Sequence, residues 1–478
     1  MQKLFIDGRW TEASGDETIP VIDPSTGQAF DHIARGTAAD IDRAVRAAQS
    51  AQEGAWGKLS AAERGRTLLR MSDLIAARRE ELAAIEARDT GKPMATARTD
   101  IEVAARYFEF YGGAADKLQG EVVPFLRDYH VVVVREPHGV TGHIIPWNYP
   151  AQMVGRSLAP ALAMGNAVVL KPAEDACLST LKIADIALEA GMPAGALNVV
   201  TGLGEEAGTA LSAHPGVSLL SFTGSPQVGA LVQKAAAENC VKVVLELGGK
   251  SPQIVFADAD LELALPVIVR AIVQNAGQTC TAGSRVLVQQ EIYGDFVERL
   301  AARFSKVRVG SPQMNLDCGP LINKQQLERV TGYIRHAVDT KVGVLAKGLL
   351  ADEAPSGGYF VEPTLFGPVP RDHRLAREEV FGPVLSVMPF TDEADAVQLA
   401  NATDYGLLAA VWTRDGARQT RVAKRLRCGQ VFINCYGAGG GVELPFGGVK
   451  KSGHGREKGF MALEEFSVPK TIVQFHGE

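Results

Sequence analysis

Asn166-Ala167-Val168-Val169-Leu170-Lys171, a helical run from Ser179 to Ala190, and then Ala196-Leu197-Asn198-Val199-Val200 form the stretch that decides the fold. A short apolar strand leads into a helix and returns to a second short apolar strand. The unit repeats with a helix from Glu205, a strand from Ser218 to Phe222, a helix from Pro226 to Glu238 and a strand from Val241 to Leu247. Strands that are apolar without alternation are buried on both faces, and crossover helices between them require a parallel sheet. The expected fold class is α/β, a doubly wound parallel sheet that binds ligands at the carboxyl ends of its strands.

Outward from this core, the alternation resumes with a strand from Arg285 to Gln289, a helix from Ile292 to Val307 and a strand from Val384 to Pro389, so a second α/β domain is expected. Two earlier helices are read from spacing, Ala38 to Gln52 and Ala61 to Ala87. The N-terminus reads as a strand entering an Asp7-Gly8 hairpin turn. Leu118 to Arg135 and Glu465 to His476 alternate apolar and polar residues, as edge strands do. Unpaired edges are a liability, so these two are expected to pair with each other or with another subunit.

The chain has 478 residues, 46% hydrophobic and 22% charged, enough to bury large cores in more than one domain. A formal net charge of -6 without a basic run argues against nucleic acid or an anionic membrane as partner. Apolar stretches such as Val131-Val132-Val133-Val134 are too short to span a bilayer, and no signal-type apolar region opens the sequence. Six dispersed cysteines point to reduced thiols and hence to the cytoplasm.

Several turns invite a cofactor. Gly202-Leu203-Gly204-Glu205-Glu206-Ala207 lies between a strand and a helix, but no acidic residue follows before Glu238 to hold a ribose, so it fails as a dinucleotide fingerprint. Gly224-Ser225-Pro226-Gln227-Val228-Gly229 is more promising, because its glycines and the helix N-terminus can approach a pyrophosphate. Lys171 and Glu174, just past a strand end, can hydrogen-bond ribose hydroxyls or can simply be a solvated pair. Three residues suggest the chemistry. Cys280, in a loop of small and amide residues with open space expected around its sulfur, offers a nucleophile. Glu246, at a strand end before Gly248 and Gly249, offers a base with a raised pKa. Asn148 offers a side-chain N–H to an oxyanion beside the Cys280 amide. Taken singly, each has a blander reading as a buried thiol, a strand-end carboxylate or a turn asparagine.

Together they do not. Pro146-Trp147-Asn148, Lys171-Pro172-Ala173-Glu174, Phe222-Thr223-Gly224-Ser225, Glu246-Leu247-Gly248-Gly249-Lys250, Gly277-Gln278-Thr279-Cys280, Glu379-Val380-Phe381-Gly382-Pro383 and Pro445-Phe446-Gly447-Gly448 occur in one order. From Phe5 to about Val473 the chain resembles the NAD(P)-dependent aldehyde dehydrogenase superfamily. The resemblance implies a cofactor-binding domain over 1–117 and 137–248, a catalytic domain over 249–444, a connecting segment over 445–463, and an oligomerisation segment over 118–136 and 464–478. It implies a homo-oligomer, dimer or tetramer. Cys280 would form a thiohemiacetal and then a thioester, Asn148 would hold the oxyanion, and Glu246 would activate water. Pro146, Trp147, Lys171, Glu174, Gly204, Gly224, Ser225, Gly229, Leu247, Glu379 and Phe381 would line the cofactor site, with Gly224 and Gly229 serving in place of the usual fingerprint. Tyr149, Met153, Arg156, Thr281 and Asn434 would face the substrate.

Glu174 should repel a 2′-phosphate, so NAD is expected, with NADP open. Arg156, two helical turns past Asn148, either holds a carboxylate or polar tail of the aldehyde or is salt-bridged at the tunnel rim. The glycine-rich Asn434 to Glu443 segment would leave a wide tunnel mouth, suited to a bulky or aromatic substrate, so an anionic or ring-bearing aldehyde is expected. The rivals are a CoA-acylating semialdehyde dehydrogenase, which has no need of the Glu246 base, and a catalytically silent structural or binding protein on the same fold. Without Cys-x-x-Cys or His-Glu-x-x-His, no metal is expected.

Overall fold

The computed structural model describes residues 1–437 and 441–477. Five parallel strands make its first sheet in the spatial order Leu197–Val199, Ala167–Pro172, Val140–Ile145, Leu219–Thr223, Lys242–Glu246. The strand that comes first in the chain is central. Two connections therefore leave it in one direction and the next in the other, which opens a crevice past the carboxyl ends of Val140–Ile145 and Leu219–Thr223. Ala167–Pro172 is buried along its whole length, as its unbroken apolar run requires. Antiparallel strands close both edges: the hairpin of Leu4–Ile6 and Arg9–Thr11, with Asp7 and Gly8 in left-handed conformation, and at the far side Gly453–His454.

A second sheet follows the order Val344–Lys347, Thr364–Phe366, Val384–Phe390, Arg285–Gln289, Pro252–Val255, Leu408–Trp412, Gln430–Ile433, parallel except at the first strand. One large core packs on the first sheet, and two smaller ones cover the faces of the second. The two edge-like segments pair with each other: Ser467–Phe475 runs antiparallel to Tyr129–Pro137 over nine residues, and Glu121–Val122 adds a third strand. Val122, Phe125, Leu126, Ile472, Val473 and Phe475 of this small sheet remain exposed. Among the described residues no helix is long and apolar enough to cross a membrane.

Two readings need correction. The expected helix from Ala61 to Ala87 is two helices, Ala61–Ala77 and Arg79–Thr90, broken where Arg78 leaves helical geometry. The bend lets Asp89 accept the Leu178 N–H (2.8 Å) and Glu86 accept the Ser179 hydroxyl (2.6 Å), so two carboxylates meet the N-terminus of helix Leu178–Glu189. That tertiary demand overrides a periodicity that continues through the break. The expected helix from Glu205 is a single wide turn, Gly204–Gly208, with a short helix Thr209–Ser212 after it. Leu220, buried in the strand beside the crevice, tests how firmly the first sheet is packed. Leu220→Ala should destabilise the protein by about 2–5 kcal/mol, seen as a lower thermal midpoint.

Candidate active site

The Cys280 loop begins where helix Leu261–Val273 ends. Asn275, Ala276 and Gly277 then take three successive left-handed conformations that reverse the chain. Two of the three are not glycine, so the turn must be held from outside. Asn275 Nδ2 donates to the Asn148 carbonyl (2.9 Å) and Gln278 Nε2 to the Asn275 carbonyl (3.2 Å), while Gln278 Oε1 accepts the Ile322 N–H (2.9 Å). At Gly277 a side chain would strike the Gly382 carbonyl. The half-buried sulfur of Cys280 is not in the open space expected of it. It packs in an apolar cluster with Leu407, Leu408, Phe432, Tyr436 and Phe446. Burial pushes the thiol up to about 11; Arg156 pulls it back, and Glu379 and Glu246 add to the rise.

Asn148 lies past the central strand, and Tyr149 caps the helix Pro150–Ala163 that follows. It is 3% exposed. Its Nδ2 donates to the Gln278 carbonyl (2.9 Å), an acceptor that fixes which amide atom is nitrogen and leaves the second N–H to give. Tyr149 bonds Thr279 Oγ1 (2.8 Å) and Gln274 Nε2 (3.0 Å). Beneath them lies Lys92, fully buried, whose ammonium reaches Glu86 (3.1 Å), Asp100 (2.5 Å) and the Asn148 carbonyl (3.1 Å) and lies 4.5 Å from the Tyr149 ring centroid. Burial opposes its charge, yet Asp100 and Glu86 hold it above the ordinary lysine range. Met153 is buried one turn further along the same helix.

Glu246 ends its strand 2% exposed, and neither carboxylate oxygen has a hydrogen bond. Burial pushes it well above the usual carboxylate range, and Arg156 pulls it down. Arg156 Nη2 is 3.5 Å from Glu246 Oε2, its Nε is ion-paired with Glu457, and its guanidinium lies 4.3 Å from the Phe446 ring centroid. Of the two readings offered for Arg156, the geometry is that of a salt bridge, drawn deeper than a tunnel rim.

Along the carboxyl edge of the first sheet, Lys171 Nζ pairs with Glu174 (2.6 Å), and Glu174 also accepts the Gly204 N–H (3.3 Å). Ser225 caps helix Pro226–Ala237 by accepting the Val228 N–H. Gly229 abuts Leu247, where a Cβ would come within 2.6 Å of Cδ2, so helix and strand end meet closely below a groove. Past Pro146, the Trp147 and Phe381 rings meet edge to face at 5.5 Å, with Phe381 held in left-handed backbone. Glu379 accepts the Gly249 N–H (2.8 Å), and burial pushes it up to about 7. A Cβ on Gly248 would lie 2.2 Å from that carboxylate, so this cradle requires glycine.

Asn434 is placed otherwise than expected. Its side chain turns back on Thr413, bonding both the N–H (3.1 Å) and the carbonyl (3.0 Å), because a left-handed residue at the strand end directs the amide away from the mouth. Thr281 meets the site through its backbone: its carbonyl accepts the Tyr436 hydroxyl (2.5 Å). Of the glycine-rich mouth, residues 438–440 lie outside the described residues. Sequence reasoning missed Lys92, Gln278, Tyr436, Phe446, Glu457 and Lys458. A buried-looking lysine in Thr90-Gly91-Lys92-Pro93 and an acid between two cations in Arg456-Glu457-Lys458 were the available signals.

The aldehyde dehydrogenase family profile matches residues 10–472. Aldehyde dehydrogenase family 2 member B4, mitochondrial, of Arabidopsis thaliana is 42% identical over 475 residues, 98% of this chain and 88% of that one. The crystal structure of a candidate aldehyde dehydrogenase from Burkholderia cenocepacia superposes with a TM-score of 0.99 at 63% identity, covering 99% and 100% of the two chains. A mutant indole-3-acetaldehyde dehydrogenase from P. syringae, in complex with NAD+ and IAA, has a TM-score of 0.96 at 41% identity, covering 99% and 97%. This chain belongs to the aldehyde dehydrogenase family.

The Lys92 cluster offers a test of how the site is supported. Lys92→Met should leave Glu86 and Asp100 as uncompensated buried carboxylates and cost about 3–5 kcal/mol, read as a fall in the thermal midpoint at neutral pH. Because protonation relieves an unpaired buried carboxylate, the deficit should shrink as pH falls toward 5.

Proposed function

We propose that the protein oxidises a ring-bearing aldehyde to its carboxylic acid with NAD, through covalent attachment to Cys280. The observation that carries this reading is the junction at Gln278, where one carbonyl orients Asn148 two residues before Cys280, a thiol on which Glu246 also acts. The Cys280 thiol gives up its proton to solvent, and the thiolate sulfur adds to the aldehyde carbon. The oxygen, as it gains negative charge, takes the free N–H of Asn148 and the backbone N–H of Cys280. Lys171, Glu174, Ser225 and Glu379 would hold a nicotinamide dinucleotide, which would supply the hydride acceptor that takes the adduct to the thioester. The resulting thioester is opened by water that has lost its proton to Glu246, whose raised pKa suits it to that transfer.

The groove fits such a dinucleotide. Lys171 and Glu174 could hydrogen-bond a ribose, the helix N-terminus opened by Ser225 could take a pyrophosphate, and Glu379 over Gly248 and Gly249 would serve the second ribose. Glu174 beside Lys171 puts a carboxylate where a 2′-phosphate would sit, which supports NAD over NADP. The relative from P. syringae, crystallised with NAD+, agrees with this choice. Phe432, Tyr436 and Phe446 around Cys280 support a flat or aromatic substrate. The charge of Arg156 is already met by Glu457 and Glu246, which disfavours a carboxylated tail. The exposed apolar residues on the three-stranded sheet support a homo-oligomer built there, and six free cysteines support a reducing compartment such as the cytoplasm.

Initial rates with aliphatic, aromatic and carboxylated aldehydes, each with NAD+ and NADP+, test the reading. Aromatic aldehydes with NAD+ should give the highest kcat/KM; equal or greater values with NADP+ would overturn the cofactor preference. Cys280→Ser should abolish oxidation. Glu246→Gln should release one equivalent of NADH and then stall as the thioester, and the absence of that burst would place the glutamate before deacylation.

A further inference from the structure

Behind Glu246 lies a rigid polar frame that the reaction does not obviously need. Glu457 and Phe446 are locked together by reciprocal backbone bonds, Phe446 N–H to the Glu457 carbonyl (2.7 Å) and Glu457 N–H to the Phe446 carbonyl (2.8 Å). Glu457 Oε1 accepts the Ser221 hydroxyl (3.1 Å), which bonds Ser157 (3.1 Å). Ser157 in turn bonds His143 (2.6 Å), and His143 bonds Thr141 (2.8 Å). Burial pulls His143 down to about 3, so this chain carries no charge of its own into the sheet. The frame thus fixes both partners of Arg156, the Glu457 carboxylate and the Phe446 ring. Glu246 is the loose member. No hydrogen bond holds its oxygens, and Gly447 opposite leaves them room, since a Cβ there would come within 2.9 Å of Oε1.

We propose that Arg156 is a positioning residue for Glu246: fixed by Glu457 and Phe446, its guanidinium holds the base carboxylate beside the nucleophile loop and favours its charged form. This rests on Glu246 being the base. At 5% side-chain exposure and between two carboxylates, Arg156 could bind a substrate carboxylate only by displacing one of them. Other groups also face this cluster. Arg456, Glu457 and Lys458 come from the segment after Gly453–His454, Cys280 from its loop, and Tyr107 and Tyr111 from helix Met94–Ala114. Arg456 is turned to the Gly448 and Gly455 carbonyls (3.2 and 2.6 Å). Lys458 Nζ lies 4.9 Å from the Phe446 ring centroid, and burial pulls it down to about 7. Arg156 is the cation within 4 Å of Glu246 in an ion pair, and Glu457 is the like charge that opposes it.

These two neighbours must act on Glu246 in opposite directions, which separates positioning from mere structural support. A base works deprotonated, so a higher pKa moves the rising limb of the rate to higher pH. With benzaldehyde and saturating NAD+, the steady rate after the first turnover should rise with pH through the Glu246 limb. Arg156→Met should move that limb to higher pH by about one to three units, and Glu457→Gln should move it to lower pH by about one unit. Arg156→Lys should restore most of the wild-type position, and KM for benzaldehyde should stay within about twofold in all three. Limbs that stay in place or shift in the same direction would overturn the proposal. So would an Arg156→Met that changes only KM for carboxylated aldehydes. If Arg156→Met does not fold, Arg156→Gln takes its place with the same expected shift, and Glu457→Gln still decides by the sign of its own. Glu246→Gln run alongside separates the two failures: a wild-type limb in that variant removes Glu246 as base, whereas its loss with an unmoved Arg156→Met limb removes only the role given to Arg156.

Discussion

The carbonyl of Gln278 and the side chain of Asn148 meet across the boundary between two sheets, and the chemistry of the protein depends on that contact. Asn148 follows the central strand of the first sheet, and Gln278 precedes Cys280 on the way into the second. Asn275 to the Asn148 carbonyl and Tyr149 to Thr279 run beside it, and these three bonds, together with Gln274 to Tyr149, join the same two loops. A shift of the two sheets by an ångström would break all three together, and reacting groups tolerate no more than that. Lys92 supports the junction from below. Its buried charge is met by two carboxylates and by the Asn148 backbone, which leaves the Asn148 loop little freedom to move away.

A mainly apolar pocket surrounds this junction, and burial there opposes the charged forms of Cys280 and Glu246. Burial raises both the Cys280 thiol and the Glu246 carboxyl, so neither group is charged without help. Arg156 acts on both in the same sense. A single cation acting on Cys280 and Glu246, the proposed nucleophile and base, can therefore couple their ionisation, which is the arrangement expected where pKa values are matched to a proton-transfer task.

Much of the scaffold was legible from local pattern. Apart from the helix expected from Glu205, the strands and helices between Asn166 and Leu247 carry their periodicity in short windows, and their observed bounds differ from the reading by a residue or two. The break at Arg78 was not legible, because it answers to the N-terminus of a helix a hundred residues further on. Cys280, Glu246 and Asn148 could be singled out because each sits at an element end amid small residues. Glu457 could not, since its meaning comes from Arg156 and Ser221, both distant in sequence. Asn434 was misjudged for a related reason: proximity to a tunnel mouth says nothing of which way an amide turns.

That turned amide has a further effect. Asn434 is fastened to Thr413 at one end of the mouth segment, and the Gly459 N–H holds the Val442 carbonyl (2.8 Å) at the other. The span between these fixings can change in length and composition while the strand end and the Glu457 frame stay where they are. On the proposed reading, selectivity and reactivity thereby fall on separable parts of the chain, and a lineage descended from this protein could acquire new aldehydes by exchanging one short span.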